Sequence, residues 1–164
     1  MLVGALAINV TMLSSCGKDP EPTPTPVAEK VLTGDITADK ALTNDGVWTL
    51  KGYVYVKDGA TLTIPAGTVI KSDLSNKGAL IIERGGKIMA EGTASAPIIF
   101  TSGQPKGQRR PGDWGGIIIL GKATTNRSTE PTIEGGVGKQ YGGTNDADNS
   151  GVMKYVRIEF AGIA

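Results

Sequence analysis

The sequence predicts an all-β solenoid, a parallel β-helix, on three observations. From Val31 onward, apolar and polar residues alternate in short runs that Gly, Pro or Asp interrupts every roughly six to ten residues, the period of half-buried strands rather than of helices. A spacing of 26 residues recurs with its turn intact, from Gly59 to Gly85, as expected of coils that are each too thin to bury their own apolar face and must stack. Aromatic residues make up only 5% of the 164 residues, which suits a narrow interior filled by Ile, Val and Leu side chains stacked about 4.8 Å apart. An antiparallel sandwich also accommodates alternating strands, but it has no physical reason to repeat at this spacing.

The amino terminus carries no strand signal. Residues 1–15 contain no charged side chain and include Leu2-Val3-Gly4-Ala5-Leu6-Ala7-Ile8, shorter than the roughly 20 residues of a bilayer-spanning helix and read as the core of a signal peptide. Leu13-Ser14-Ser15-Cys16 resembles the lipobox of bacterial lipoproteins. Small residues admit the signal peptidase, and the Cys16 thiol takes a diacylglycerol through a thioether. A further acyl chain on the freed amine makes the anchor stable. The usual Lys/Arg run is missing ahead of the apolar stretch, so the natural start is expected upstream. As the one Cys of the chain, Cys16 excludes an internal disulfide.

Residues 16–32 are expected to be a linker. Pro20, Pro22, Pro24 and Pro26 stand at alternate positions, which favours an extended chain of about 3.1 Å per residue that holds the following domain away from the membrane. Lys18-Asp19-Pro20-Glu21 loosely resembles the charged signals behind the cysteine that direct Bacteroidota lipoproteins to the outer face of the outer membrane. Residues 33–164 are assigned to the β-helix.

Within that region, Val54 and Val56 share one face, Asp58-Gly59 turns the chain, Leu62 and Ile64 share a face again, and Pro65-Ala66-Gly67 makes a second corner. Two strands and two corners account for most of one coil. The 26-residue shift lays Leu80, Ile82, Gly85, Ile88 and Ala90 on Val54, Val56, Gly59, Leu62 and Ile64. A third copy follows, with Ile117 and Ile119 standing 37 residues after Leu80 and Ile82. The excess of 11 matches the polar segment 103–113, read as an inserted loop. After a second insertion, roughly residues 125–151, a fourth strand from Tyr155 to Gly162 puts Val156, Ile158 and Phe160 on one face. It ends without a polar cap, so the chain is expected to be the amino-terminal portion of a longer helix.

Composition excludes several functions. Seventeen Lys and Arg against sixteen Asp and Glu leave a net charge of +1, and no basic run is longer than Arg109-Arg110, so nucleic acid is not an expected partner. There is no His, which rules out imidazole-based triads and dyads and His zinc sites.

The segments Asp113-Trp114-Gly115-Gly116-Ile117-Ile118-Ile119-Leu120-Gly121-Lys122-Ala123, Ile133-Glu134-Gly135-Gly136, Tyr141-Gly142-Gly143-Thr144-Asn145-Asp146-Ala147-Asp148-Asn149-Ser150-Gly151 and Lys154-Tyr155-Val156-Arg157-Ile158-Glu159-Phe160-Ala161-Gly162 resemble a family of Bacteroidota cell-surface lipoproteins. The resemblance covers essentially everything after the linker. It implies a right-handed, single-stranded parallel β-helix of the pectin-lyase-like type on a lipid anchor at the bacterial outer membrane, at the cell surface or its periplasmic face. It implies no defined activity.

Three kinds of site are suggested by the residues. Asp146, Asp148 and Ser150 precede Gly151 in the spacing that opens a calcium loop, although Arg157 stands where a closing carboxylate belongs. The same residues are also ordinary turn formers. Trp114 and Tyr141, with Tyr53 and Tyr55, offer faces for stacking sugars, and Arg109, Arg110 and Arg127 offer partners for carboxylates of acidic glycans. Four of these seven lie in the two insertions, where binding is commonly grafted onto a solenoid. The bland alternative is that Trp114 and Tyr155 cover apolar flanks of the coil while the arginines face water. A polysaccharide lyase would need acids and a base together, and Asp113, Glu134, Asp146, Asp148 and Glu159 with Arg157 are the candidates. The expected role is binding or display on the cell envelope (adhesion, glycan capture or envelope structure), without catalysis and with no cofactor required. Polysaccharide degradation of the pectate-lyase-like type is the alternative.

Overall fold

A computed structural model describes residues 29–127 and 130–162; the expected signal peptide, Cys16 and the proline run lie outside the described residues. Among these the chain forms eleven strands and no helix. They are β1 (Val31–Ile36), β2 (Lys40–Ala41), β3 (Val47–Val56), β4 (Thr61–Ile64), β5 (Val69–Ser72), β6 (Ala79–Ile82), β7 (Lys87–Glu91), β8 (Ile98–Thr101), β9 (Gly116–Ile119), β10 (Gly151–Lys154) and β11 (Val156–Ile158). Every strand pairing is parallel. The chain winds as a right-handed parallel β-helix, the hand that twisted strands impose on parallel crossovers.

Each coil has three sides. The first is built from the opening halves of β1 and β3, then β5, β8 and β11. The second takes the closing halves of β1 and β3, then β6 and β9. The third stacks β2, β4, β7 and β10. The register of the two central coils is the one the 26-residue spacing predicts: Val54 lies on Leu80, Val56 on Ile82, Leu62 on Ile88 and Ile64 on Ala90. Ile117 and Ile119 continue the stack above Leu80 and Ile82. The part of the coil that two strands left open is the first side, β5 and β8.

Turn chemistry explains the corners. Ala60 N–H donates to Lys57 O, Thr68 N–H to Pro65 O and Gly86 N–H to Glu83 O, at 3.0, 3.3 and 2.9 Å. Gly59, Gly67 and Gly85 occupy the third position of each turn with φ of +81°, +79° and +82°, a conformation that a side chain disfavours.

The interior is aliphatic. Val54, Val56, Leu62, Leu80, Ile82, Ile98 and Ala90 are fully buried, and Phe100 and Trp114 stack at 6.2 Å near the start of the last coils. In β6 all four residues are buried, although Ala79 and Ile81 point away from this interior. A second apolar cluster covers them, made with Leu120 and Val137 and flanked by Tyr55, Ile118, Ile133 and Tyr141. The second insertion therefore folds back over the outside of the second side, which is why Gly116 to Leu120 reads as a continuous apolar run instead of alternating.

The strand expected from Tyr155 to Gly162 shortens to β11 and is preceded by another, β10. The chain re-enters the stack at Gly151 as β10, on β7. Tyr155, with φ +48°, turns it in a single residue onto β11, which lies on β8 rather than on β9. Val156 and Ile158 share the inward register over Ile98 and Phe100, but Phe160, at φ +58°, has left the strand.

Leu80 is fully buried, between Val54 and Ile117. Leu80→Ala is expected to destabilise the domain by about 3 kcal/mol in urea unfolding, because the layers above and below cannot close the gap. A loss under about 1 kcal/mol would show that the interior collapses around the cavity.

Candidate functional site

The corner between the second and third sides carries charged residues that stacking forces into contact. In the two central coils these are Lys57-Asp58 and then Glu83-Arg84, and Asp35, which lies under Tyr55, reaches the same corner from the coil below. The register that sets Val56 on Ile82 sets Lys57 on Glu83 and Asp58 on Arg84, where like charges would repel; the signs are opposite instead. Lys57 Nζ sits 3.7 Å from Asp35 Oδ2 and 2.8 Å from Glu83 Oε1. Lys139, from the second insertion, reaches the same Glu83 oxygen at 3.0 Å.

Burial alone would raise the Glu83 carboxyl, but the hydrogen bonds from Lys57 and Lys139 outweigh it and hold the group below its usual range. The hydrogen bond to Glu83 raises Lys57 in turn.

The neighbouring pair skips a coil. Lys122 Nζ meets Asp58 Oδ1 at 3.0 Å, directly over Gly85. A Cβ at Gly85 would lie 1.8 Å from that carboxylate oxygen and 2.4 Å from the ammonium, so a side chain here would push the pair aside. Arg84 turns to the insertion, pairing with Glu130 Oε2 at 2.6 Å and donating to Gly142 O at 3.1 Å and Gln140 Oε1 at 3.5 Å.

The opposite wall is held in place from several directions. Residues 131–141 form a hairpin, with Ile133 N–H donating to Lys139 O and Tyr141 N–H to Pro131 O. Tyr53 and Tyr55 reach up from β3 and donate to Gly135 O and Val137 O at 3.3 and 3.4 Å; burial keeps the Tyr55 phenol above its ordinary pKa and so protonated as a donor. Asp146 and Asp148 close the base of the loop. Asp148 Oδ2 accepts from Lys122 N–H at 2.8 Å and Asp146 Oδ1 from Thr124 N–H at 2.9 Å, and that amide hydrogen bond holds the Asp146 carboxyl low.

Between corner and insertion lies a cleft of about 800 Å³ lined by Asp58, Glu83, Arg84, Lys122, Glu130 and Lys139, with Thr132, Gln140, Thr144 and Asn145. Two smaller cavities border the same hairpin. One of about 440 Å³ shares Thr132 with the cleft and is lined by Tyr141 and Arg127. The other, about 540 Å³, shares Ile133 and Glu134 with the second and is lined by Tyr53 and Ile118.

The residues expected from the sequence are dispersed. Trp114 is buried to 1% exposure, with Nε1 donating to Glu159 O at 2.8 Å and its ring on Phe100. It has no face to offer a sugar, which corrects the stacking role; its apolar area is worth more inside the coil. Arg109 is turned inward to Gln104 O and Thr101 Oγ1 and lies 6.0 Å from the Phe160 ring. Arg110 is exposed and donates to Gly107 O and Arg109 O within its own loop. Arg127 and Tyr141 line one cavity together.

Asp146 and Asp148 direct their carboxylates to two different amides of the 122–124 segment, and Ser150 takes part through its carbonyl, which accepts from Ile88 N–H. Among the described residues no group of three or more His, Cys, Asp or Glu is placed to hold a metal ion. The candidate lyase residues are engaged in other contacts. Asp113 is occupied by Ser102 Oγ and Arg110 N–H, Glu159 by Thr101 Oγ1 and Arg157, and Glu134 lines the smaller cavities.

The family model described as a pectate-lyase-like β-helix domain matches residues 34–164. The chain belongs to this pectate-lyase-like β-helix family. No curated protein and no solved structure matches it. Among the described residues of this family member, no helix is long and apolar enough to cross a membrane.

Lys57, Asp58, Glu83 and Arg84 were missed by sequence reasoning, yet they were readable. The shift that sets Val56 on Ile82 also sets Lys57 on Glu83, but only its apolar positions carry an obvious pattern. Lys139 and Glu130 carried no such signal, because the path of an insertion is not periodic.

The sign of the Glu83 shift fixes a pH dependence. A carboxyl held low in the fold contributes stability above its unfolded value of 4.5 and loses it as pH falls through the lower folded value. Urea midpoints of the wild type are expected to fall on the acid side of that value. Glu83→Gln is expected to lower the midpoint at pH 7 and flatten the acid slope; an unchanged slope would mean that Glu83 is not paired.

Proposed function

We propose that this β-helix domain binds an extended polysaccharide in the cleft beneath its second insertion, without catalysis, as part of a lipid-anchored protein of the bacterial envelope. The cleft is the observation that carries the binding reading. It is formed by side chains from three coils and the insertion, and it offers carboxylate, guanidinium, ammonium, amide and hydroxyl groups within one concave surface. Sugar hydroxyls both donate and accept, and a wall of this composition answers both. The adjoining Tyr141 cavity adds an aromatic face at one end.

A second reading, polysaccharide degradation of the pectate-lyase-like type, is favoured by the family match. Lys122 or Lys139 would be its base, with Arg84 beside the sugar, and calcium at Asp146 and Asp148 would require both carboxylates to leave their amides. The anchor reading rests on Leu13-Ser14-Ser15-Cys16, and location at the outer membrane, facing outward, rests on the resemblance of the post-cysteine segment.

One set of experiments separates these readings. Native electrophoresis through gels containing soluble polysaccharides is expected to show retardation of the wild type, weakened severalfold by Gln140→Ala or Lys139→Ala. Retardation by none of the polymers ends the binding reading. With polygalacturonate, absorbance of unsaturated product is expected to stay flat with or without calcium; a rise would establish the degradative reading instead. In bacteria fed an alkyne fatty acid, the full chain is expected to take up label that Cys16→Ala abolishes, and equal labelling of both would remove the anchor.

A further inference from the structure

Charge pairing inside the cleft deepens the binding reading and rests on it. Arg84, Lys122 and Lys139 are the cations that line the cleft. Each already faces a lining carboxylate: Glu130 at 2.6 Å, Asp58 at 3.0 Å and Glu83 at 3.0 Å. Cations and carboxylates are equal in number on this wall, so it offers an anion no net positive charge.

We propose that the cleft selects uncharged polysaccharide over polyuronate, and that Glu130 sets this preference. A uronate entering here would have to displace a protein carboxylate, exchanging one ion pair for another while both acids lose water. A neutral ring displaces nothing. The unused lone pairs and N–H groups of the paired side chains, together with Thr132, Gln140, Thr144 and Asn145, remain open to its hydroxyls.

Glu130 is the decisive acid because Arg84 is held without it. Gly142 O and Gln140 Oε1 keep the guanidinium in the cleft, so neutralising Glu130 leaves a positioned fork suited to a carboxylate. By contrast, Glu83 is shared by Lys57 and Lys139 and is mostly buried, and its removal would disturb the corner itself. The Glu130 side chain is half exposed, so Glu130→Gln is expected to fold normally.

The test is native affinity electrophoresis of the wild type, Glu130→Gln and the double variant Arg84→Gln/Glu130→Gln. The polymers are hydroxyethylcellulose, galactomannan, xyloglucan and polygalacturonate, and far-UV circular dichroism checks each fold. The wild type is expected to be retarded by at least one neutral polymer and not by polygalacturonate, with little change when salt is raised. Glu130→Gln is expected to gain severalfold retention on polygalacturonate that salt weakens, and the double variant to lose that gain. Wild-type preference for polygalacturonate would leave binding intact and overturn the selectivity alone. A Glu130→Gln variant that gains nothing would overturn the role of Glu130, and retention of no polymer by any protein would remove the binding reading together with this one.

Discussion

The structure depends on one constraint: each coil must place its side chains in register on those of the coil below. A parallel strand pair aligns equivalent positions, so whatever occupies a position must tolerate its counterpart about 4.8 Å away. Aliphatic residues meet that condition without effort, and Val54, Leu80 and Ile117 form one column while Val56 and Ile82 form another. Charged residues meet it with opposite signs, as Lys57 and Glu83 do at the corner. The same rule that builds the interior therefore builds the floor of the cleft.

The insertions turn a regular stack into a particular surface. The first brings Trp114 into the interior, where its indole N–H is satisfied by Glu159 O. The second covers Ala79 and Ile81 on the outside of β6 and supplies Lys139, Glu130 and Gln140 as the far wall of the cleft. Its attachment combines apolar cover, the Tyr53 and Tyr55 hydroxyls and the Asp146 and Asp148 carboxylates. Among the described residues no buried side-chain nitrogen or oxygen is left without a partner, so the wall is fixed by polar satisfaction as well as by packing.

Legibility in the sequence followed periodicity. The columns at the 26-residue spacing were readable because aliphatic residues and corner glycines recur together. β8 was not, since it lies 30 residues beyond β5, from Val69 to Ile99; the corner before it is longer and the shift no longer matches. Trp114 misled for a different reason. An aromatic residue at the mouth of an insertion has the same local sequence whether it turns outward or inward, and the ring of Phe100, on the far side of the inserted loop in sequence but stacked on Trp114 in space, decides it. The cleft lay half in view: its floor obeys the repeat, while its wall depends on how a nonrepeating loop folds back.

In-register parallel stacking is tested most directly by disulfide trapping on the third side. Thr63 and Met89 are partners on β4 and β7 and both point outward. With Cys16 replaced by Ala, Thr63→Cys/Met89→Cys is expected to oxidise to an intramolecular disulfide, since neighbouring strands bring the Cα atoms within the roughly 4.4–6.8 Å that the bond requires. Thr63→Cys/Glu91→Cys, displaced by one outward position, is expected to remain reduced. No bond in the first pair, or a faster one in the second, would contradict the stacking on which the fold and the cleft both rest.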